Sequence, residues 1–511
     1  MTDRMQVVIP MAGSGDRFLR AGYAAPKPLL DIAGKPLIER LLTKFPAEWR
    51  FVFIVNEDQL QKTSLAEVLR ALRPHAEIAA IQTHKKGPVF TLLQGASVIA
   101  DDMPTLVNYC DFSFSWDVGD FTDFVSARKA DGAILCYRGF HPHCLGNTLY
   151  AYCRETEGRV LEVREKGHFT PDRLQEYASS GTYYFASGGL LKQYGRIALE
   201  KGLSINGEYY VSVVYNPMID DGKRIFVHEI PFMLQWGTPE DLEDYLYWHR
   251  LFETWNSQVQ RPAEGSLRLV MPMAGLGSRF QNFQCPKPLI PVLGRPMYRT
   301  AMSFLPPSKK KPVLVVRTEL EEAVRSSGEA EIIALEKPTQ GQADSTLAAL
   351  NAVDPEDPVL VSACDHGFLW DEAAWSSLLE RKPDVVVFGQ RGYPGARRTP
   401  ASYSYFETDP EGNIRRVSVK KPLTAQPQRE LLLIGTFYFA RAAGLRDLIL
   451  ELQARDLRVN QERYLDSVVG IALERGMRVI GFECQGYLNW GSPDALQEFS
   501  YWYRYFRRTT P

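Results

Sequence analysis

The chain has 511 residues, and at about 100–200 residues per domain this allows two to four domains. Hydrophobic residues at 45 % and charged residues at 23 % exclude a disordered chain, and 59 Lys+Arg against 61 Asp+Glu leave a net charge of −2, which argues against a nucleic acid partner. No apolar run reaches the ~18–20 residues of a membrane span, and the seven cysteines, odd in number and without a CxxC pair, point to a reduced, cytoplasmic setting.

In chain order, QVVIPM (6–11) predicts a buried strand opening into a Gly-rich turn, with too short an apolar stretch for a signal peptide. WRFVFIVN (49–56) predicts a second strand, and SLAEVLRALR (64–73) and TLLQGASVIA (91–100) predict amphipathic helices. PTLVNYC (104–110) is a further strand that ends at Asp111. His141, His143, Cys144 and Cys153 lie close in sequence but match no zinc spacing, and FHPHCLGNT (140–148) reads as a loop over the site, with acceptor binding by His141 or His143 as a secondary reading. The polar stretch NSQVQRPAEGS (256–266) is the natural linker. Beyond it RLVMPM (268–273), KPVLVVRT (311–318) and PVLVSAC (358–364) repeat the strands.

The second half restates the first. PMAGSGDRF (10–18) and PMAGLGSRF (272–280) share seven of nine residues, and each precedes a PKPL, at 26–29 and 286–289. Cys-Asp recurs at Asp111 and Asp365, GTYYF (181–185) as GTFYF (435–439), and WGTP (236–239) as WGSP (490–493). From Asp111 through Trp248 the offset is a constant 254. This predicts a tandem duplication: copy one at 1–255, the linker at 256–266, copy two at 267–511. Alternating strands and helices predict an α/β fold with a mixed, mainly parallel sheet, and ligands bind such sheets outside the carboxyl ends of the strands.

Gly13 and Gly15, and Gly275 and Gly277, let the backbone turn tightly with N–H groups facing outward, an anion nest. Arg17 and Arg279 follow as forked phosphate ligands, and Lys27 and Lys287 are held between two prolines. Two cations and a nest at one point suit a triphosphate. A dinucleotide fingerprint fails because Phe18 and Phe280 stand where its third glycine belongs, and the Gly-Lys-Ser/Thr of a P-loop is absent.

With these motifs the chain resembles the sugar-1-phosphate nucleotidyltransferases (NDP-sugar pyrophosphorylases), once per copy, in a style nearest to capsule and surface-polysaccharide loci. The resemblance implies a Rossmann-like nucleotidyltransferase fold, Mg²⁺, and the reaction of an NTP with a sugar 1-phosphate to give an NDP-sugar and pyrophosphate. It implies that Gly13, Gly15 and Arg17 hold the nucleotide phosphates, that Lys27 neutralises the α-phosphate, and that Asp111 binds the metal. Gly87 falls at the loop near the base, Glu165 and Lys166 at the pair that meets the sugar and its phosphate, and Gly181, Asn206 and Glu208 at the acceptor pocket. In copy two Gly275, Gly277, Arg279, Lys287 and Asp365 are kept, and Gly341 sits in a KPTQGQADSTL base loop. The implied partners are an NTP and a phosphorylated small-molecule acceptor; oligomeric state, including a homo-oligomer, stays open.

Two departures stand out. Where the family carries a second metal-binding Asp, this chain has Gln235 and Asn489, so NTP phosphates or another carboxylate (Glu208, Glu229 or Asp220) would complete the metal's ligands. Glu165 becomes Val419 in copy two, Gly207 becomes Gln461 and Tyr209 becomes Arg463, while Lys166 stays as Lys420. Both copies as catalysts, or either alone, remain open readings. So do a cytidylyltransferase of non-sugar phosphates and a non-catalytic nucleotide sensor. A glycosyltransferase is disfavoured because no Asp-x-Asp follows the metal strand.

Overall fold

A computed structural model describes residues 4–146, 148–257, 267–325, 328 and 330–509. The expected linker lies outside the described residues from 258 onward. The chain packs as two compact units, Met1–Leu246 and Tyr247–Pro511, with the break inside the helix Pro239–Ser257, ahead of the expected end of copy one at 255.

The segment QVVIPM forms the strand Gln6–Met11, every residue of it buried. Val7, Ile9 and Met11 enter one hydrophobic core and Val8 the other, so the sheet is covered on both faces. In the first unit the strand order is Glu77–Ile81, Arg50–Asn56, Gln6–Met11, Thr105–Asn108, Tyr177–Phe185, Gly132–Tyr137, Ile225–Glu229, Arg159–Arg164, Tyr152–Thr156. The first four run parallel, and Tyr177–Phe185 is antiparallel to both of its central neighbours. The helix Leu65–Leu72 buries Leu65 and Leu69 on one face, and Pro88–Gln94 buries Val89 and Leu92 on the other. The expected helix over 91–100 stops at Gln94 and resumes as a single turn, Ala96–Val98. The chain crosses the sheet at Gly95 so closely that a Cβ there would stand 2.6 Å from Ile54 Cδ1.

A two-stranded ribbon places the site. Phe112–Ser115 pairs with Phe232–Gln235, Gln235 facing Phe112, so that Trp236 N–H donates to the Asp111 carbonyl at 2.8 Å. Asp111 thereby sits in the turn after the strand Thr105–Asn108, at a carboxyl edge of the sheet.

The second unit has the order Glu331–Leu335, Val313–Arg317, Arg268–Pro272, Val359–Ser362, Leu431–Phe439, Val385–Gln390, Val479–Glu483. Strands Tyr405–Thr408 and Ile414–Ser418 pair beside it, and the ribbon His366–Leu369 with Gly486–Asn489 occupies the place of the first unit's ribbon. Each unit is thus an α/β domain with a mixed sheet, as expected.

Candidate active site

In the first unit a cavity of 590 Å³ opens at the carboxyl ends of the central strands. Its wall holds Gly13, Gly15, Arg17, Lys27, Gly87, Asp111, Glu165, Lys166, Gly181 and Glu208, residues that the sequence scatters over nearly two hundred positions.

The floor is built from the first turn. Gly15 takes the left-handed conformation, φ 72°, and caps the short helix Asp16–Arg20, which carries Arg17. Lys27 opens a one-turn helix between two prolines. Its ammonium lies 2.5 Å from Asp111 Oδ2, donates to the Gly237 carbonyl at 3.3 Å, and stands 5.6 Å from the centre of the Phe18 ring. Arg17 and Lys27 therefore share one hollow.

Gly87 is required by the fold. It has φ 85°, and a Cβ would meet Tyr209 N at 2.6 Å, so this loop is pressed against the backbone at Glu208–Tyr209. Gly181, φ 77°, forms the bulge of Tyr177–Phe185, and a Cβ there would meet Phe112 at 2.6 Å.

On the opposite wall Glu165 Oε2 accepts from Ser212 Oγ at 2.6 Å. Burial raises the Glu165 carboxyl above its usual value, against the lowering effects of Ser212 and Lys166. Lys166 holds φ 53°, a strained conformation for a residue with a side chain, and its ammonium donates to Tyr210 OH at 2.5 Å. Tyr210 OH in turn donates to Glu208. Asn206, expected at the acceptor pocket, is not among the residues that line this cavity. With Gly207 it is the exposed tip of a two-residue turn closed between Ile205 and Glu208, a position that favours Asn-Gly for positive φ.

Gln235 has both ends of its amide engaged by other side chains. Its amide oxygen accepts from Tyr150 OH, and its amide nitrogen donates to Asp241 Oδ1 at 2.7 Å. Asp241 also accepts from Thr238 N, capping the helix that follows. A Cβ on Gly237 would stand 3.3 Å from Asp111 Oδ2 and 3.7 Å from Asp241 Oδ2, so two carboxylates border one small space. Asp241 went unnoticed in sequence because it reads as a capping residue; Tyr150 and Tyr210 carry no motif.

His141 and His143 are buried, at 2 and 5 % exposure, and neither lines the cavity. His141 Nε2 donates to the Met233 carbonyl at 2.7 Å, and burial pushes its imidazole down to about 4. The pair is packing and not acceptor-binding, which corrects that reading; among the described residues no group of three or more His, Cys, Asp or Glu could hold a metal ion.

The second unit repeats the central geometry. Lys287 Nζ lies 2.5 Å from Asp365 Oδ2 and 5.7 Å from the Phe280 ring centre. Burial alone would raise the Asp365 carboxyl, but Lys287 and His366 override it and hold it well below the usual carboxylate range. Arg279 donates to the Gly491 carbonyl at 3.3 Å. Gly277 has φ 64° and Gly275 nothing within 4 Å of a Cβ, and a Cβ on Gly341 would meet Arg463 N at 2.5 Å. The Asn489 amide oxygen accepts from Gly491 N at 2.8 Å, and its nitrogen donates to Tyr403 OH at 3.0 Å.

The MobA-like NTP transferase domain matches residues 7–169 and again 270–453, and the chain belongs to that family. It is 25 % identical over 236 residues to the bifunctional protein GlmU of Aromatoleum aromaticum, covering 45 % of this chain and 48 % of that protein. The chain thus spans about half the length of the curated relative it matches. Solved structures similar to it include a nucleoside-diphosphate-sugar pyrophosphorylase from Vibrio cholerae RC9, 23 % identical, covering 47 % of this chain and 99 % of that one, TM-score 0.40. The inositol-1-phosphate CTP transferase of T. maritima is 19 % identical, covering 48 % and 98 %, TM-score 0.37.

Proposed function

We propose that this member of the MobA-like NTP transferase family transfers a nucleotidyl group from an NTP to a sugar 1-phosphate or a related phosphorylated acceptor, releasing pyrophosphate. One observation carries the reading: Arg17, Lys27 and Asp111 line the same cavity as the Glu165–Lys166 wall. A phosphate-binding floor thus faces a wall of hydroxyl acceptors and a cation.

In the reaction an oxygen of the acceptor phosphate attacks the α-phosphorus, and the bond from that phosphorus to the α,β-bridging oxygen breaks. Pyrophosphate leaves with the electron pair. The acceptor phosphate has a second pKa of about 6 and is mostly dianionic at pH 7, so no general base is needed. Positioning and charge neutralisation carry the catalysis. Arg17 grips phosphate oxygens as a fork. Lys27, now paired with Asp111, is placed to exchange that partner for the charge growing around the α-phosphorus. Lys166 meets the acceptor phosphate, and Glu165 and Glu208 accept its hydroxyls.

The Asp111 and Asp241 carboxylates bordering one space are the oxygen donors that a hard divalent cation takes, so the residues present fit Mg²⁺. Asp111, and in the second unit Asp365 with the Asn489 amide oxygen, would hold it. When bound it would supply further positive charge to the triphosphate.

We read the two units as copies of one domain, joined by residues 256–266, each with its own phosphate floor. A product of this kind would feed surface-polysaccharide biosynthesis, the use that the sequence resemblance implies. Among the described residues no helix is long and apolar enough to cross a membrane. The test is a matrix of the four NTPs against phosphorylated sugars, polyols and amines, read by pyrophosphate release. Release with a sugar 1-phosphate supports the reading; release only with another phosphate redirects it, and nucleotide binding without release with any acceptor removes it.

A further inference from the structure

The first unit's acceptor wall depends on a carboxylate facing a serine: Ser212 Oγ donates to Glu165 Oε2 at 2.6 Å. In the second unit both partners are changed. Val419 stands where Glu165 would be, and Asp466 stands where Ser212 would be. Read position by position this unit has lost its acid. Read in space, an acid has moved from one side of the contact to the other.

The geometry supports that exchange. Asp466 opens the helix Leu465–Glu474 and is 4 % exposed. Its Oδ2 accepts from Ser404 Oγ. The same hydroxyl oxygen accepts from Lys420 N at 3.2 Å, which ties Asp466 to the turn that in the first unit carries Glu165 and Lys166. That turn keeps its strain, with φ 57° at Lys420 against 53° at Lys166. Two elements far apart in sequence are therefore held together at the place where the first unit joins Glu165 to Ser212.

The neighbouring tyrosines sense the same charge. Tyr210 has its hydroxyl raised by burial and then by Glu208 and Glu165, with Arg17 opposing. Its counterpart Tyr464 is pushed up to about 12 by burial and then by Glu462 and Asp466, with Arg279 opposing. Glu208 corresponds to Glu462 and Arg17 to Arg279; Asp466 fills the remaining role. With Glu at 419 as well, two carboxylates would repel across one buried space, and an apolar Val avoids this.

We infer that the second unit has an acceptor site of its own, in which Asp466 replaces Glu165 as the carboxylate that receives hydroxyls of a phosphorylated polyol or sugar. This rests on the transfer activity proposed above and assigns it to a second site. The shorter side chain, rooted on a helix start and not on a strand-end turn, gives that pocket a different shape, so the two units prefer different acceptors.

The test uses the full chain with the first unit silenced by Asp111→Ala. Pyrophosphate release is measured with each NTP against glucose 1-phosphate, N-acetylglucosamine 1-phosphate and inositol 1-phosphate. The silenced chain is expected to retain turnover with at least one pair. On that background Asp466→Asn, which keeps an acceptor for the Ser404 bond, should raise the KM for the phosphorylated acceptor about tenfold and move the NTP KM by less than about twofold. The double variant V419E/D466S, which restores the first unit's arrangement, should recover acceptor binding. An unchanged acceptor KM in Asp466→Asn overturns the inference, and so does a silenced chain that is inactive while the intact chain turns over. An intact chain that releases no pyrophosphate with any pair defeats the proposed transfer activity and the inference together.

Discussion

The ammonium of Lys27 lies 2.5 Å from Asp111 Oδ2, and the residues that make this contact are 84 positions apart in the chain. In the proposed reaction this ion pair couples the cation assigned to phosphate with the carboxylate assigned to the metal. Either partner alone would be a partly buried, uncompensated charge. Ligand binding can part them only by offering each a better partner, phosphate for Lys27 and a cation for Asp111.

Lys27→Ala is therefore expected to be severe. Measured in a chain already carrying Lys287→Ala, it should lower kcat by about 10²–10³-fold, the range for removing one preorganised charge-stabilising group. Steady-state pyrophosphate release checks it. Unchanged turnover would exclude the first unit as the catalyst, and the reciprocal order of substitutions tests the second.

Gly87→Ala should damage nucleotide binding. The backbone there has φ 85°, and the new Cβ would lie 2.6 Å from Tyr209 N. Strain of about 1–3 kcal/mol would be relieved by shifting the loop. Calorimetric titration with NTP should show weaker binding by about tenfold or more. An affinity equal to that of the parent chain would show that the loop does not touch the nucleotide.

Glu165→Gln should separate stability from function. Burial raises the Glu165 carboxyl, so the folded chain holds a proton there at a pH where the unfolded chain has lost it. The native state is then favoured below the raised value and penalised above it. The amide removes the penalty, so Tm at pH 8 should rise while the acceptor KM worsens. The variant should also lose that part of the acid-side rise in acceptor KM that comes from this carboxyl, leaving the part due to the acceptor phosphate. A lower Tm together with an unaltered acceptor KM would contradict both roles.

His141 should make the first unit acid-sensitive. Burial lowers its imidazole from 6.5 to about 4, so the unfolded chain takes up the proton first as pH falls. Stability is present above 6.5 and is lost between 6.5 and about 4, by on the order of 3 kcal/mol. His141→Gln, which can still donate to the Met233 carbonyl, should flatten the dependence of Tm on pH over that interval. A slope equal to the parent's would place the acid sensitivity elsewhere.

Much of the fold and of the phosphate floor could be read from residues alone. The mostly apolar, β-branched run VVIPM after Gln6, closed by a Gly-rich turn, reads as a buried strand. Gly15 and Gly277 need a turn that tolerates positive φ, and a lysine between two prolines has a fixed backbone. Such signals are local, because strand period, turn conformation and proline geometry are set within a few bonds. Repetition of the glycine-arginine and Pro-Lys-Pro motifs in the same order made the same floor visible twice.

The acceptor wall was legible only in part. Glu165 and Lys166, named by resemblance, line the cavity, whereas Asn206 lies at the tip of a turn outside its lining. The sequence showed Val419 in place of Glu165 but not that Asp466 is tied through Ser404 to the same turn. The tyrosine that occupies the Gln235 amide, the capping Asp241 beside Asp111, and the Ser404 bond to Asp466 all join residues far apart in the chain. Local pattern marked the main strands and turns, whereas these partnerships were decided by the order in which the strands assemble, since burial forces a polar group to find whichever partner the sheet brings within reach.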